Sequence, residues 1–93
     1  MIIIWSAIAR AELAAITDYI ETDSPQAALE FIPKIVSSVD ILINHPEIGR
    51  PGRVIDTREL IVHKSYIAAY SVLDQSISIL SVRHTARLWP KKF

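Results

Sequence analysis

The stretch YIAAYSVLDQSISILSVR, residues 66–83, decides the architecture. Two runs rich in β-branched and aromatic residues flank Asp74-Gln75. Such runs form strands, and two residues between them make a tight hairpin. Successive side chains alternate between faces in a strand. Tyr66, Ala68, Tyr70 and Val72 therefore share one face; Ile67, Ala69, Ser71 and Leu73 share the other. Both faces are partly apolar, as a central strand requires. In the second run the apolar phase slips from Ile77 and Ile79 to Leu80 and Val82. One extra residue, a β-bulge, produces such a slip. Burial on both faces would also account for it.

Working outward, RVI (53–55) and RELIVH (58–63) read as strands leading into the hairpin. The loop before them, NHPEIGRPGR (44–53), carries both glycines and closes a helix. That helix starts at Ser24-Pro25, an N-cap followed by proline where a missing N–H costs nothing. Ala28, Ile32, Ile35, Val39 and Leu42 give it one apolar stripe, with Pro33 expected to kink it. An earlier helix over 7–22 carries Ile8, Leu13, Ile16, Tyr19 and Ile20, with Ser6 as its cap. IIIW (2–5) is a short opening strand. The order β-α-α-β-β-β predicts an α+β two-layer sandwich, a helical hairpin packed on an antiparallel sheet.

A chain of 93 residues is read as one domain, 1–93. Its apolar fraction, 51%, is high for that size and leaves apolar surface for a partner. With no cysteine, disulfides and thiolate metal sites are excluded. MIIIWSA lacks a basic region and its apolar run is short, so no secretory leader is expected. No apolar run approaches the roughly 18 residues of a membrane span. A cytoplasmic protein without membrane contact is the expectation. The net charge of zero hides a dipole. Residues 1–47 carry two bases against seven acids, net −5; residues 48–93 carry eight against three, net +5. Such a dipole steers a charged partner to one side.

His45, His63 and His84 are too scattered in sequence to form a ligand pair on one element, so neither metal nor other cofactor is expected. There is no G-x-S-x-G elbow. Metal-free RNA cleavage needs a base, an acid and a cation for the phosphorane charge. Arg58, Glu59, His63, Arg83 and His84 contain those types if the last three strands are neighbours. The same residues also suit an exposed strand face with no chemistry.

The segments W…A…L..I.DYI, SPQAALEF, V..L..HPEIGRPGRV, TRELIVH..YIAAYSV and ISILSVRHTARLWP, in this order, resemble the RelE/ParE superfamily of type II toxins. The resemblance covers nearly the whole chain. It implies the fold above and a cognate antitoxin whose C-terminal segment wraps the toxin, with higher-order toxin–antitoxin assembly. One branch cuts mRNA on the ribosome; the ParE-like branch poisons DNA gyrase and is not enzymatic. Arg83 matches the arginine of the final strand. The penultimate strand offers Tyr66 and Ile67 where the cutting branch tends to carry a base, and Arg83 is followed by His84, Thr85 and Ala86. The ending VRHTARLWP is similar to the ParE type. Gyrase is therefore the expected target, with the ribosome and mRNA as the alternative. Arg58, Arg83, His84, Arg87 and Trp89 are the expected target contacts, with Trp89 either an anchor at that interface or a plug over the core. Leu13, Ile16, Tyr19 and Ile20 are the expected antitoxin contacts.

Overall fold

The computed structural model describes residues 1–86, 90, 92 and 93. Strand β1 (Ile2–Trp5) leads into helices α1 (Ala7–Asp23) and α2 (Pro25–Asp40). A short 3₁₀ turn, Ile41–Ile43, then passes the chain to β2 (Arg50–Pro51), β3 (Arg58–His63), β4 (Tyr66–Leu73) and β5 (Ser76–His84). The sheet order is β1-β5-β4-β3-β2, with β4 central as its two apolar faces require. The hairpin turns at Asp74-Gln75, with Leu73 opposite Ser76. Asp74 sits at φ 53°, a left-handed conformation that Asp tolerates well.

Both serines cap as their sequence contexts predict. The Ser6 hydroxyl accepts from Ala9 N at 3.0 Å and the Ser24 hydroxyl from Ala27 N at 3.1 Å. Helix α2 runs on through Pro33, which is exposed. Its core side is Ala28, Phe31, Ile35 and Val39, with Leu42 beyond its end. Phe31 takes the place expected of Ile32, which stands at the margin of the stripe and remains exposed. Phe31, Ile35, Val39 and Leu42 share one core cluster with Val62, Ala68, Tyr70, Ile77, Ile79 and Val82 of the sheet.

Two strand expectations change. The sheet is mixed rather than wholly antiparallel: β1 lies parallel to β5, Trp5 opposite Ile79. A helical crossover between the strands makes that orientation available. Residues 53–55 are not a strand. The Gly52 amide donates to the Thr57 carbonyl at 2.8 Å and the Thr57 amide to the Val54 carbonyl at 3.3 Å, which folds the segment into a turn. Asp56 at φ 61° completes it, and pairing with β3 falls at Arg50–Pro51 instead.

The phase slip in the last strand is a bulge. Ala69 pairs with Ser81 but Tyr70 with Ile79, so Leu80 is the extra residue. The bulge keeps Ile77, Ile79 and Val82 in the core. The Ser6 hydroxyl donates to the Leu80 carbonyl at 3.2 Å, so one side chain both caps α1 and satisfies the bulge.

Tyr70 ties the 46–49 loop to the sheet. Its hydroxyl donates to the Pro46 carbonyl at 2.8 Å and accepts from Gly49 N at 2.9 Å. Burial pushes its phenol above the ordinary range, against the opposing pull of the Gly49 amide and Arg58. A Cβ on Gly49 would stand 2.6 Å from that hydroxyl oxygen and 2.9 Å from the Glu59 carbonyl oxygen. Gly49→Ala is therefore expected to destabilise the fold by about 2 kcal/mol through overpacking. Urea denaturation measures it; an unchanged midpoint would show that the loop yields freely.

Candidate functional site

Strand β1 covers the outer edge of β5 only as far as Ile79, where Ser6 N donates to the Ile79 carbonyl at 3.0 Å. Beyond that point α1 takes over, and its Glu12 fills the missing strand's place. One carboxylate oxygen accepts from Val82 N at 3.1 Å and from the Ser81 hydroxyl at 2.8 Å. The other lies 3.4 Å from Arg83 Nε, which also donates to the Ser81 hydroxyl at 2.9 Å. Arg83 is thus fixed by a carboxylate at the end of the sheet.

Beside this clamp lies a groove of about 380 Å³. Glu12, Ala15, Ile16 and Tyr19 of α1 form one wall, and Tyr66, Val82, Arg83 and His84 the other. Four rings, each on a different element, cluster around Tyr66, and two of them, Tyr66 and His84, line the groove. Phe31 contacts His63 and Tyr66 edge-on, with centroids at 5.6 and 5.3 Å, and Tyr66 contacts His84 at 5.4 Å. Burial, then the nearby Tyr19, pushes the Tyr66 phenol above its ordinary range, so Tyr66 stays protonated at neutral pH. It can donate a hydrogen bond but is a poor base. His84 accepts from Ala86 N at 3.1 Å through Nδ1. His63 Nδ1 is buried without a hydrogen-bond partner among the described residues.

The structure gathers His63, Arg83 and His84 at one end of the sheet but not Arg58. Arg58 lies across from Tyr70, five residues along β3 from His63. At about 3.3 Å per residue that is roughly 16 Å. Its Nη1 donates to the Gly49 carbonyl at 2.8 Å and the Glu47 carbonyl at 3.2 Å, on the wall of a separate 810 Å³ cleft. Arg58 therefore shares no catalytic centre with the other three. Arg87 and Trp89 lie outside the described residues. Of the four α1 positions expected to meet the antitoxin, Leu13 is 6% exposed and belongs to the core. Ile20 packs partly against the core, while Ile16 and Tyr19 line the groove, Tyr19 being 70% exposed.

Glu12, Tyr66 and Phe31 are the residues that sequence reasoning left out. Glu12 stands four and seven residues before Ile16 and Tyr19, so helical spacing already put it on their stripe. Glu12→Ala would leave the Val82 amide and Arg83 without that carboxylate. We expect a loss of about 2 kcal/mol, scaled from a hydrogen bond to a charged group. Glu12→Gln, which retains an acceptor, should recover about half in thermal or urea unfolding. Equal losses would mean that charge alone matters.

Among the described residues no three His, Cys, Asp or Glu side chains are grouped to hold a metal ion. No described helix is long and apolar enough to cross a membrane.

The chain is an α+β sandwich in the order β-α-α-β-β-β-β, with its final-strand arginine held by Glu12. Residues 3–89 match the model of the ParE toxin of the type II toxin-antitoxin system parDE. The chain belongs to that family. It is 39% identical to the Y4kP protein of Sinorhizobium fredii over 88 residues, 94% of this chain and 91% of that one. It is 38% identical to toxin RelE2 of Caulobacter vibrioides over 86 residues, 92% and 97% of the two chains. Among solved structures it is similar to a chain of the chromosomal ParDE system from P. aeruginosa. That match has a TM-score of 0.80 and 31% identity, covering 90% of this chain and 95% of that one.

Proposed function

We propose that this toxin inhibits DNA gyrase and is neutralised by a cognate antitoxin laid along the helical hairpin. The observation that carries the first part is the clamp on Arg83. A ribonuclease needs that cation aimed at a phosphorane beside a base and an acid. Here Glu12 and Ser81 hold its Nε, Arg58 is at the far end of β3, and the Tyr66 phenol is hard to ionise. The arrangement suits recognition better than proton transfer. Arg83 and His84, with Arg87 and Trp89 following them in sequence, are the proposed target contacts. Arg58 is a second contact at the opposite end.

The likeness to toxin RelE2 supports a second reading, ribosome-dependent mRNA cleavage. Mapping mRNA ends in a translating extract separates the two. No site-specific cut is expected on adding the purified toxin. A cut that disappears with Arg83→Ala and His84→Ala would establish the second reading instead.

Exposed apolar groups on the hairpin support this antitoxin surface. Tyr19, Leu29, Ile32 and Val36 remain exposed on α1 and α2, and an amphipathic helix buries its apolar face against such a surface. Tyr19→Glu is expected to weaken antitoxin binding at least about tenfold, as loss of an aromatic anchor does. Because Tyr19 is exposed, the melting temperature should barely move. Calorimetric titration with the antitoxin measures this, and unchanged affinity would move the contact elsewhere.

A further inference from the structure

The three arginines around the β2–β3 turn are held differently. Glu59, 4% exposed, takes up Arg50 through Nη2 at 3.1 Å and Arg53 through Nε at 3.3 Å. Arg58 is paired with no carboxylate among the described residues. Its Nη1 donates to the Gly49 and Glu47 carbonyls at 2.8 and 3.2 Å. Two backbone carbonyls fix the guanidinium without cancelling its charge. Its Nε and Nη2, the side-on fork, have no acceptor among the described residues.

Arg58 stands on the wall of the 810 Å³ cleft, a volume within the range of small-ligand pockets. Pro46, Val72 and Leu73 give the cleft an apolar wall, and Glu47 and Asp56 bring two carboxylates to it. This mixture selects a ligand. A planar fork matches the two oxygens of a carboxylate, and a guanidinium already held in place has little side-chain entropy left to lose. A dianion such as phosphate also suits a fork, but it meets like charge from Glu47 and Asp56. A lone cation is repelled by Arg58, and the two acids belong to exposed residues that water already solvates. Val72 and Leu73 are exposed, so an apolar body attached to the carboxylate would take them out of water.

We propose that this cleft binds a carboxylate carried on an apolar body, with Arg58 gripping its two oxygens through Nε and Nη2. The carboxylate comes from a free organic acid or from a side chain or terminus of the target protein; the chemistry is the same. Binding rests on the cleft alone, and only the second source rests on the gyrase reading.

The test titrates N-acetyl-leucine into the isotope-labelled full chain and follows the arginine ¹³Cζ signals by NMR. Ionic strength is held constant with chloride, above the second ionisation of phosphate. Arg58 should move along a saturating curve while exposed Arg10 on α1 stays still. N-acetyl-leucinamide, the same body without the charge, should bind at least about tenfold more weakly. Arg58→Lys keeps the charge but loses the fork, and should also bind at least about tenfold more weakly with its fold intact by circular dichroism. The double variant Glu47→Gln, Asp56→Asn keeps the fork and removes the acids; asparagine tolerates the left-handed backbone at 56. There phosphate, with twice the charge, should gain about tenfold in affinity against about threefold for N-acetyl-leucine. Parallel movement of all arginine signals, equal binding of the amide, equal affinity in the lysine variant or equal gains in the acid-free variant would overturn the site. If the lysine variant unfolds, the amide and the acid-free variant decide. Relief of gyrase inhibition by saturating N-acetyl-leucine assigns the carboxylate to the target. Unchanged inhibition, or a toxin inert on gyrase, assigns it to a free acid.

Discussion

Phe31→Ala is expected to destabilise the protein by about 4 kcal/mol, the usual range for emptying a buried phenylalanine site. Phe31 is 2% exposed and sits where α2 meets the sheet. Its ring touches both His63 and Tyr66 edge-on. The loss combines buried apolar area with the cavity left among Ile35, Val62 and Ala68, which belong to the same core. A small domain has only about 5–15 kcal/mol in total, so the variant should be partly unfolded at growth temperature. Urea denaturation should show a much lower midpoint at unchanged slope. Phe31→Leu, which refills most of the volume, should lose less than half as much. A shift below about 1 kcal/mol for alanine would show that α2 collapses into the gap. The same variant also removes the support behind Tyr66, which lines the groove.

Glu59→Gln is the second large effect, about 3 kcal/mol at neutral pH. Glutamine still offers an oxygen to the Arg53 amide but brings an uncharged amide against two guanidiniums. Breaking a buried pair leaves charge uncompensated, although half-exposed arginines recover part of the loss through water. The pH dependence identifies the cause. Burial alone would raise the Glu59 pKa, but the Arg53 amide and the two guanidiniums outweigh it and hold the carboxyl below its ordinary 4.5. A group with a depressed folded pKa stabilises above its unfolded pKa, and that stability is lost as pH falls through the folded value. The gap between parent and Glu59→Gln should therefore be widest near pH 7 and narrow steadily below about 4.5. A gap that stays constant down to acid unfolding would mean that shape, not charge, is at stake.

Local chemistry explains which parts of this fold the sequence made legible. Ser6 and Ser24 stand where only a capping role makes sense, and both cap. The slipped phase at Leu80 marks a bulge because a strand's face alternation is strict. The 53–55 turn escaped because Val and Ile there suit a strand, whereas Glu59 and Thr57 hold the backbone in a turn. Nothing within IIIW says which strand it joins; the crossover through two helices decides that β1 lies parallel to β5. Ile32 and Phe31 are adjacent, so a stripe read by spacing alone cannot choose between them.

The site was less legible for a related reason. Histidines and arginines can be read as residue types, but their convergence is set by register. His63, Tyr66 and His84 meet because Tyr66 pairs with both neighbours. Glu12 meets Ser81 and Val82 across 69 and 70 residues of chain, because β1 ends one residue before α1 must be capped. Arg58 belongs to the same strand as His63 yet serves the opposite end of the sheet.

The supercoiling activity of purified DNA gyrase tests the central claim most directly. Toxin freed of antitoxin should suppress supercoiling at a small molar excess, and added antitoxin should restore it. Full gyrase activity at high toxin excess, in a preparation whose fold is intact by circular dichroism, would contradict the account.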